Sequence, residues 1–258
     1  MEETGKNPIQ VAERLFQVIE RLAENGPMGI MDLSAELGFH KSTTHRLVTS
    51  LQYMGYIRQY EESLKYALSL KFLEIGSKIL EQTNMASLIH PSLKKLSEQT
   101  GETVHLVRRE GTEAVYIDKV ESTVSSIRMV SRVGSRIPLY CSGVGKALLA
   151  ELPDPEIEDI WNSSEITSLT PYTVTSLSDL MDRIRGVREA GYAMDDEENE
   201  EGVRCIAVSI PDYHKEPVYA LSISAPVSRM TDARIAELST DVLTFKKDLE
   251  KTLGFSRS

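Results

Sequence analysis

Residues 30–57 read IMDLSAELGFHKSTTHRLVTSLQYMGYI. Asp32 to Leu37 has the spacing of a short helix, with Leu33 and Leu37 on one side, and Gly38 breaks it. A further helix follows, with Leu47, Val48, Leu51 and Met54 as its apolar stripe and Gly55 at its end. A helix-turn-helix needs a small residue in its first helix, a glycine in the turn four residues later, and apolar anchors on its second helix. Ser34 and Gly38 meet the first two needs, and Leu47 and Leu51 the third. Lys41, Ser42, Thr43, Thr44, His45 and Arg46 are then left at the N-terminal end of the second helix. The first residues of a recognition helix reach base edges and phosphates. Hydroxyls and an arginine beside the positive end of a helix dipole suit a phosphate backbone.

The flanks extend the pattern. Val11, Leu15, Val18, Ile19 and Leu22 recur at helical spacing ahead of it, and Asn25-Gly26-Pro27 stops that helix. Behind it, two extended runs over 56–67 surround the polar turn Glu61-Glu62-Ser63 and read as a β-hairpin. This hairpin would be a wing, with Arg58 and Lys65 near a DNA backbone. The alternative is a protein-interaction module whose winged helix does not touch DNA. Net charge is −10 over 258 residues, which in bulk opposes nucleic acid. Residues 1–66 carry seven Lys/Arg against nine Asp/Glu, a net of −2, and between Leu37 and Tyr60 there are Lys41, Arg46 and Arg58 and no acid. The acidity is concentrated elsewhere, notably in DDEENEE at 195–201, so the global charge does not exclude a DNA face.

Ser69 to about Gln82 is again helical, and Ala86 to Thr100 forms a further helix interrupted by Pro91; the pair reads as a connection between domains. From residue 102 the texture changes. TVHLVRR, AVYIDKV and SIRMVS alternate as strands. A helix starts near Gly143, others span 154–161, 177–190 and 231–253, and strands span 203–210 and 218–225. This is an α+β domain on a largely antiparallel sheet. Cys141 and Cys205 lie far apart with no C-x-x-C spacing, the N-terminus is polar, and no apolar run approaches a membrane span, so the expectation is a reduced cytoplasmic protein with no membrane partner. The histidines show no metal-ligand spacing, and no metal or cofactor is expected.

YCSGVGKALLA at 140–150 resembles a phosphate loop but fails its spacing: Tyr140 stands five before Gly145, and Ala147 follows Lys146 where a Mg²⁺-binding hydroxyl is needed. A helix N-terminus still offers free N–H groups to an anion, and Gly143 and Gly145 would let a ligand approach the backbone. The late strands carry one bulky face (Ile206, Val208, Ile210; Leu221, Ile223) and one small face (Cys205, Ala207, Ser209; Ala220, Ser222, Ser224). The small face leaves room for either a ligand cavity or a closely packed helix. Asp195, after the run 191–194, is placed to turn inward and accept a ligand hydroxyl, while the other acids of DDEENEE read as a solvated loop. Cys205 has no histidine at a convincing position to pair with it and reads as a small buried residue, so no enzyme is expected.

KSTTHRLVTSLQYMGYI, HPSLKKLSEQTGETVHL, IPLYCSGVGKALLA, GYAMDDEENEEGVRCIAVSI and ALSISAPVSRMTDARI, in that order, resemble the IclR family of bacterial transcriptional regulators from about Gln10 to Leu253. The resemblance implies a winged helix-turn-helix at 1–68, a linker helix at 69–83 and a GAF-like effector domain at 84–258. It implies a homodimer or dimer of dimers on double-stranded operator DNA. It also implies a small carboxylate effector, a sugar acid or keto acid, held by the backbone of Gly143 and Val144. Asp195, Cys205, Ser222 and Ser224 would complete the polar contacts, and Met129, Ile137 and Val203 would line the wall. Ser126, where some family members have leucine, points to a polar ligand such as a sugar acid.

Overall fold

The first apolar stripe becomes α1 (Gln10–Asn25), which buries Val18 and Leu22. The computed structural model describes residues 9–82, 85–122, 131–212 and 214–253. Its contacts divide the chain into two units, Met1–Thr83 and Asn84–Ser258. In the first, α1 packs with α2 (Ile30–Leu37) and α3 (Lys41–Tyr53) around Leu33, Leu47, Val48 and Leu51. Gly38 makes the turn between α2 and α3 at φ 67°, a left-handed conformation that glycine adopts without strain. Its N–H and that of Phe39 donate to the carbonyls of Ala35 and Ser34, closing the end of α2. Ser34 is buried at the helix crossing, and its hydroxyl donates back to the Ile30 carbonyl at 2.6 Å.

The wing is a hairpin of β1 (Ile57–Gln59) and β2 (Tyr66–Leu68), paired antiparallel, with Met28 bridging to Tyr66. Its strands are shorter than the sequence suggests. Leu64 sits at φ 53°, and its N–H bonds the Tyr60 carbonyl, so the turn takes in the expected start of the second strand. In α4 (Lys71–Gln82), Lys71 Nζ donates to the Met54 carbonyl at 2.7 Å and lies 4.2 Å over the Tyr56 ring, tying the start of α4 to the end of α3.

The second unit begins with α5 (Met85–Thr100) and continues through β3 (Thr103–Glu110), β4 (Glu113–Val120), β5 (Arg136–Pro138), α6 (Gly143–Ala150), α7 (Asp154–Asn162) and α8 (Leu177–Ala190). It ends with β6 (Ala193–Asp196), β7 (Val203–Ile210), β8 (Tyr219–Pro226) and α9 (Asp232–Thr252). The six strands form one antiparallel sheet, in the order β5-β4-β3-β8-β7-β6. Helices cover both faces in a GAF-like arrangement. The bulky residues of β7 and β8 meet Ile89, Leu93 and Leu96 of α5 and Leu238 and Val242 of α9. On the other face Ala207 and Ala220 pack with Val144, Ala147 and Leu148 of α6 and with Leu180 and Ile184 of α8.

Two further details depart from the expectation. α5 is continuous through Pro91 rather than interrupted. A proline inside a helix costs about 3 kcal/mol, and three fully buried side chains on one face of α5 offset that cost. β5 and β6, of three and four residues, were not expected as strands, since so short a run shows no alternation. The expected strand SIRMVS lies largely outside the described residues, as do Met129 and Ser126.

Candidate nucleic-acid interface and effector cavity

On α3 the buried residues are Thr44, Leu47, Val48 and Leu51. Lys41, Ser42, His45 and Arg46 are exposed and Thr43 half-buried. Thr44 is a correction to the expected set. It is fully buried, its hydroxyl 3.4 Å from the His40 carbonyl, because it shares the inward stripe with Leu47, Val48 and Leu51. Thr49 was not foreseen: it stands one turn beyond His45 on the exposed face, its hydroxyl 3.5 Å from His45 Nδ1. The N-cap of α3, His40, makes no side-chain capping bond, so the first-turn N–H groups remain open to an anion. On the wing Arg58 donates to the Tyr60 hydroxyl at 2.8 Å and lies 4.8 Å over its ring, while Lys65 is exposed.

The small residues that open α6 have two separate structural causes. A methyl group on Gly145 would lie 2.1 Å from the Leu139 carbonyl oxygen. Gly145 therefore serves close backbone packing, and the expectation that it admits a ligand is corrected. A methyl group on Gly143 would lie 2.7 Å from the Cys205 sulfur and 3.4 Å from the Asp195 backbone nitrogen. This contact seats the start of α6 on β6 and β7. Ser142 caps the helix, its hydroxyl accepting from Gly145 N–H at 3.1 Å. The small face of the sheet thus does both things weighed above. α6 packs on Ala207 and Ala220, and a cavity remains beside Cys205, Ser222 and Ser224.

That cavity holds about 40 Å³. Its lining includes Gly143, Val144, Asp195, Cys205, Ser222, Ser224, Ile137 and Val203, so every described residue of the expected effector set borders one space. It also includes residues that the sequence reading missed: His105, Tyr116, Ser131, Asn199 and Glu200. His105 lies at the polar wall. Its Nε2 is 2.7 Å from the Ser131 hydroxyl, and its Nδ1 is 3.4 Å from those of Ser222 and Ser224. Burial drives its pKa down to about 3, so the ring is neutral. The strand register explains the cluster: His105 faces Ser222 across β3 and β8, and Cys205 faces Ser224 across β7 and β8.

Asp195 is buried, and its Oδ1 accepts from the N–H groups of Glu198 at 2.8 Å and Asn199 at 3.3 Å. Burial raises its pKa to about 7, against the opposing pull of Lys146 and the two N–H bonds. Burial likewise raises the thiols of Cys205, well above the ordinary value, and Cys141, to about 12. Cys205 is thus a thiol rather than a thiolate nucleophile.

Glu198 corrects the reading of DDEENEE as solvated. It is buried with Lys146 in an ion pair whose side chains are each 2% exposed. Thr173 donates to the Glu198 carbonyl at 2.6 Å, and Thr170 to that of Glu197 at 2.7 Å, pinning the segment inward. The lysine that imitates a phosphate-loop residue is therefore a buried partner of the acidic segment.

Residues 77–250 match the family described as bacterial transcriptional regulator IclR, C-terminal, and residues 11–61 match the IclR helix-turn-helix domain. The chain belongs to the IclR family of transcriptional regulators. It is 36% identical over 252 residues to the acetate operon repressor of Salmonella typhimurium, spanning 96% of this chain and 92% of that relative. It is 36% identical over 248 residues to the transcriptional regulator XynR of Escherichia coli, spanning 96% and 98%. Among solved structures, the IclR protein of Thermotoga maritima is 31% identical, with a TM-score of 0.63 over 95% of this chain and 99% of that one. An IclR regulator from Silicibacter, 23% identical, reaches a TM-score of 0.81 over 97% and 98%, a likeness of fold. As in a DNA-binding IclR regulator, the first unit is a helix-turn-helix domain. No helix among the described residues is long and apolar enough to cross a membrane. Among the same residues no group of three His, Cys, Asp or Glu is placed to hold a metal ion.

Proposed function

We propose that this chain is an operator-binding regulator controlled by a small carboxylate. The exposed face of α3, with Lys41, Ser42, Thr43, His45 and Arg46, enters the major groove, and Arg58 and Lys65 on the wing reach flanking phosphates. The observation that carries this reading is that face itself: hydroxyls and cations with no acid, at the uncapped start of a helix. Each chain carries one recognition helix, so an operator with two half-sites takes a dimer. Exposed Val11 and Phe16 on α1 and Leu73 on α4, 59%, 61% and 69% accessible in the single chain, support self-association. The acetate operon repressor's name supports repression as the sense of control.

The effector binds beside the start of α6. The Val144 N–H, in the first helical turn, and the hydroxyls of Ser222 and Ser224 offer donors, and Ile137 and Val203 an apolar wall. A cavity of about 40 Å³ has room for a few waters, so an acid of a few carbons fits once the walls give slightly. A sugar acid would need the walls to move apart. Occupancy acts on DNA affinity through α4, and DNA must change effector affinity by the same factor. The test is a titration of protein on operator DNA against pyruvate and D-gluconate. Binding of either acid, with a change in DNA affinity, supports the reading. If neither binds nor shifts the DNA complex, the carboxylate assignment is wrong.

A further inference from the structure

The cavity poses an electrostatic problem for the ligand just assigned to it. Its described lining carries two carboxylates, buried Asp195 and rim-exposed Glu200, and no lysine or arginine. Lys146 of α6, the cation that acts on Asp195, is already paired with buried Glu198, and Lys119 of β4, bonded to the carbonyl of lining Ser131, is paired with Glu121. A carboxylate placed at the start of α6 therefore meets the Asp195 carboxylate with no spare positive side chain among the described residues between them. Two carboxylates sharing a dry site do not both stay ionised.

We propose that Asp195 is the proton-bearing partner of the effector's carboxylate, so that the ligand enters together with one proton held between the two groups. This rests on the carboxylate reading above and adds the protonation state in which the ligand is bound. Asp195 Oδ1 is fixed by two backbone N–H groups, and no described residue bonds Oδ2, which leaves that oxygen to carry the proton. The chemistry balances without redox or covalent change. An ionised Asp195 takes one proton from solvent, becomes a carboxylic acid and donates its O–H to the ligand's carboxylate.

Titratable groups face Asp195 from each neighbouring element among the described residues. Lys146 comes from α6, Cys141 from the segment before it, and Glu198 and Glu200 from the β6–β7 loop. Cys205 lies on β7, Tyr116 on β4 and His105 on β3. Burial holds His105 neutral down to about 3, keeps Cys141 protonated up to about 12, and raises Cys205 and Tyr116 above their ordinary values. Asp195, raised to about 7, changes protonation between them.

The test is calorimetric titration of the full chain with pyruvate and with D-gluconate, whose carboxyl groups stay ionised throughout, in amine buffers of different ionisation enthalpy. Done at about pH 6 and about pH 8.5, it should show affinity roughly tenfold or more weaker at the higher pH, with about one proton taken up per ligand there. In Asp195→Asn, checked for folding by circular dichroism, the ratio of affinities should fall towards one, whatever the absolute affinity. If the variant does not fold, the proton count of the wild type decides alone. Binding of either acid with no proton uptake and equal affinity at both pH values overturns the proposal and leaves the carboxylate site standing. Binding of neither acid at either pH overturns both.

Discussion

Gly145 has no room for a methyl group, since its Cβ would overlap the Leu139 carbonyl. Gly145→Ala is expected to cost about 3 kcal/mol or more, as overpacking against backbone does, and a urea melt reads it directly. Lys146 is a second sensitive residue. Lys146→Met leaves Glu198 buried and unpaired, at a cost of about 3–5 kcal/mol, whereas Lys146→Met with Glu198→Leu should recover most of that loss. A double variant as unstable as the single one would show that the pair's charges are not what matters. Asp195 sets a pH dependence of stability. Its pKa is raised on folding, so its contribution is full below the unfolded value of about 4 and is lost as pH rises through about 7. Asp195→Asn should therefore gain stability relative to wild type on going from about pH 5 to about pH 8, in denaturant melts at both.

At the level of elements, α3 divides cleanly between an anchored stripe and an open face. Arg46→Ala is expected to weaken operator binding by about 1–3 kcal/mol and to lower the salt slope by about one, with effector affinity unchanged. Thr44→Val should leave DNA affinity intact, because Thr44 is buried, while Ser42→Ala should not. The sequence shows this element well because a helix and its turn are local: Ser34, Gly38, Leu47 and Leu51 lie within one short stretch. It also marks Thr44 as the inward member of Ser42, Thr43 and Thr44, since Thr44 stands three, four and seven residues before Leu47, Val48 and Leu51, although residue type alone groups it with its exposed neighbours. The α6 region was legible only in part. Gly143 and the small faces of β7 and β8 announce a close approach. That Lys146 pairs with Glu198, and His105 with Ser131, depends on contacts across 52 and 26 residues that no spacing rule encodes. The register that sets His105 opposite Ser222 arises only when β3 pairs with β8.

For the whole molecule, the account requires two sites linked by one free energy. Ser222→Ala with Ser224→Ala is expected to weaken effector binding and spare DNA binding, the reverse of Arg46→Ala; a folded variant of either kind that lost both activities would contradict the two-site assignment. Charge at the exposed apolar positions, as in Phe16→Glu with Leu73→Glu, should shift sedimentation towards monomer and weaken operator binding in step. The most direct test of the central claim is fluorescence anisotropy of the protein on DNA from upstream of its own gene, with a scrambled fragment beside it, across a range of salt. The account expects tight binding to the native fragment whose logarithm falls steeply and linearly with that of salt. No binding to either fragment at low salt would contradict it and would assign the winged helix to protein contacts instead.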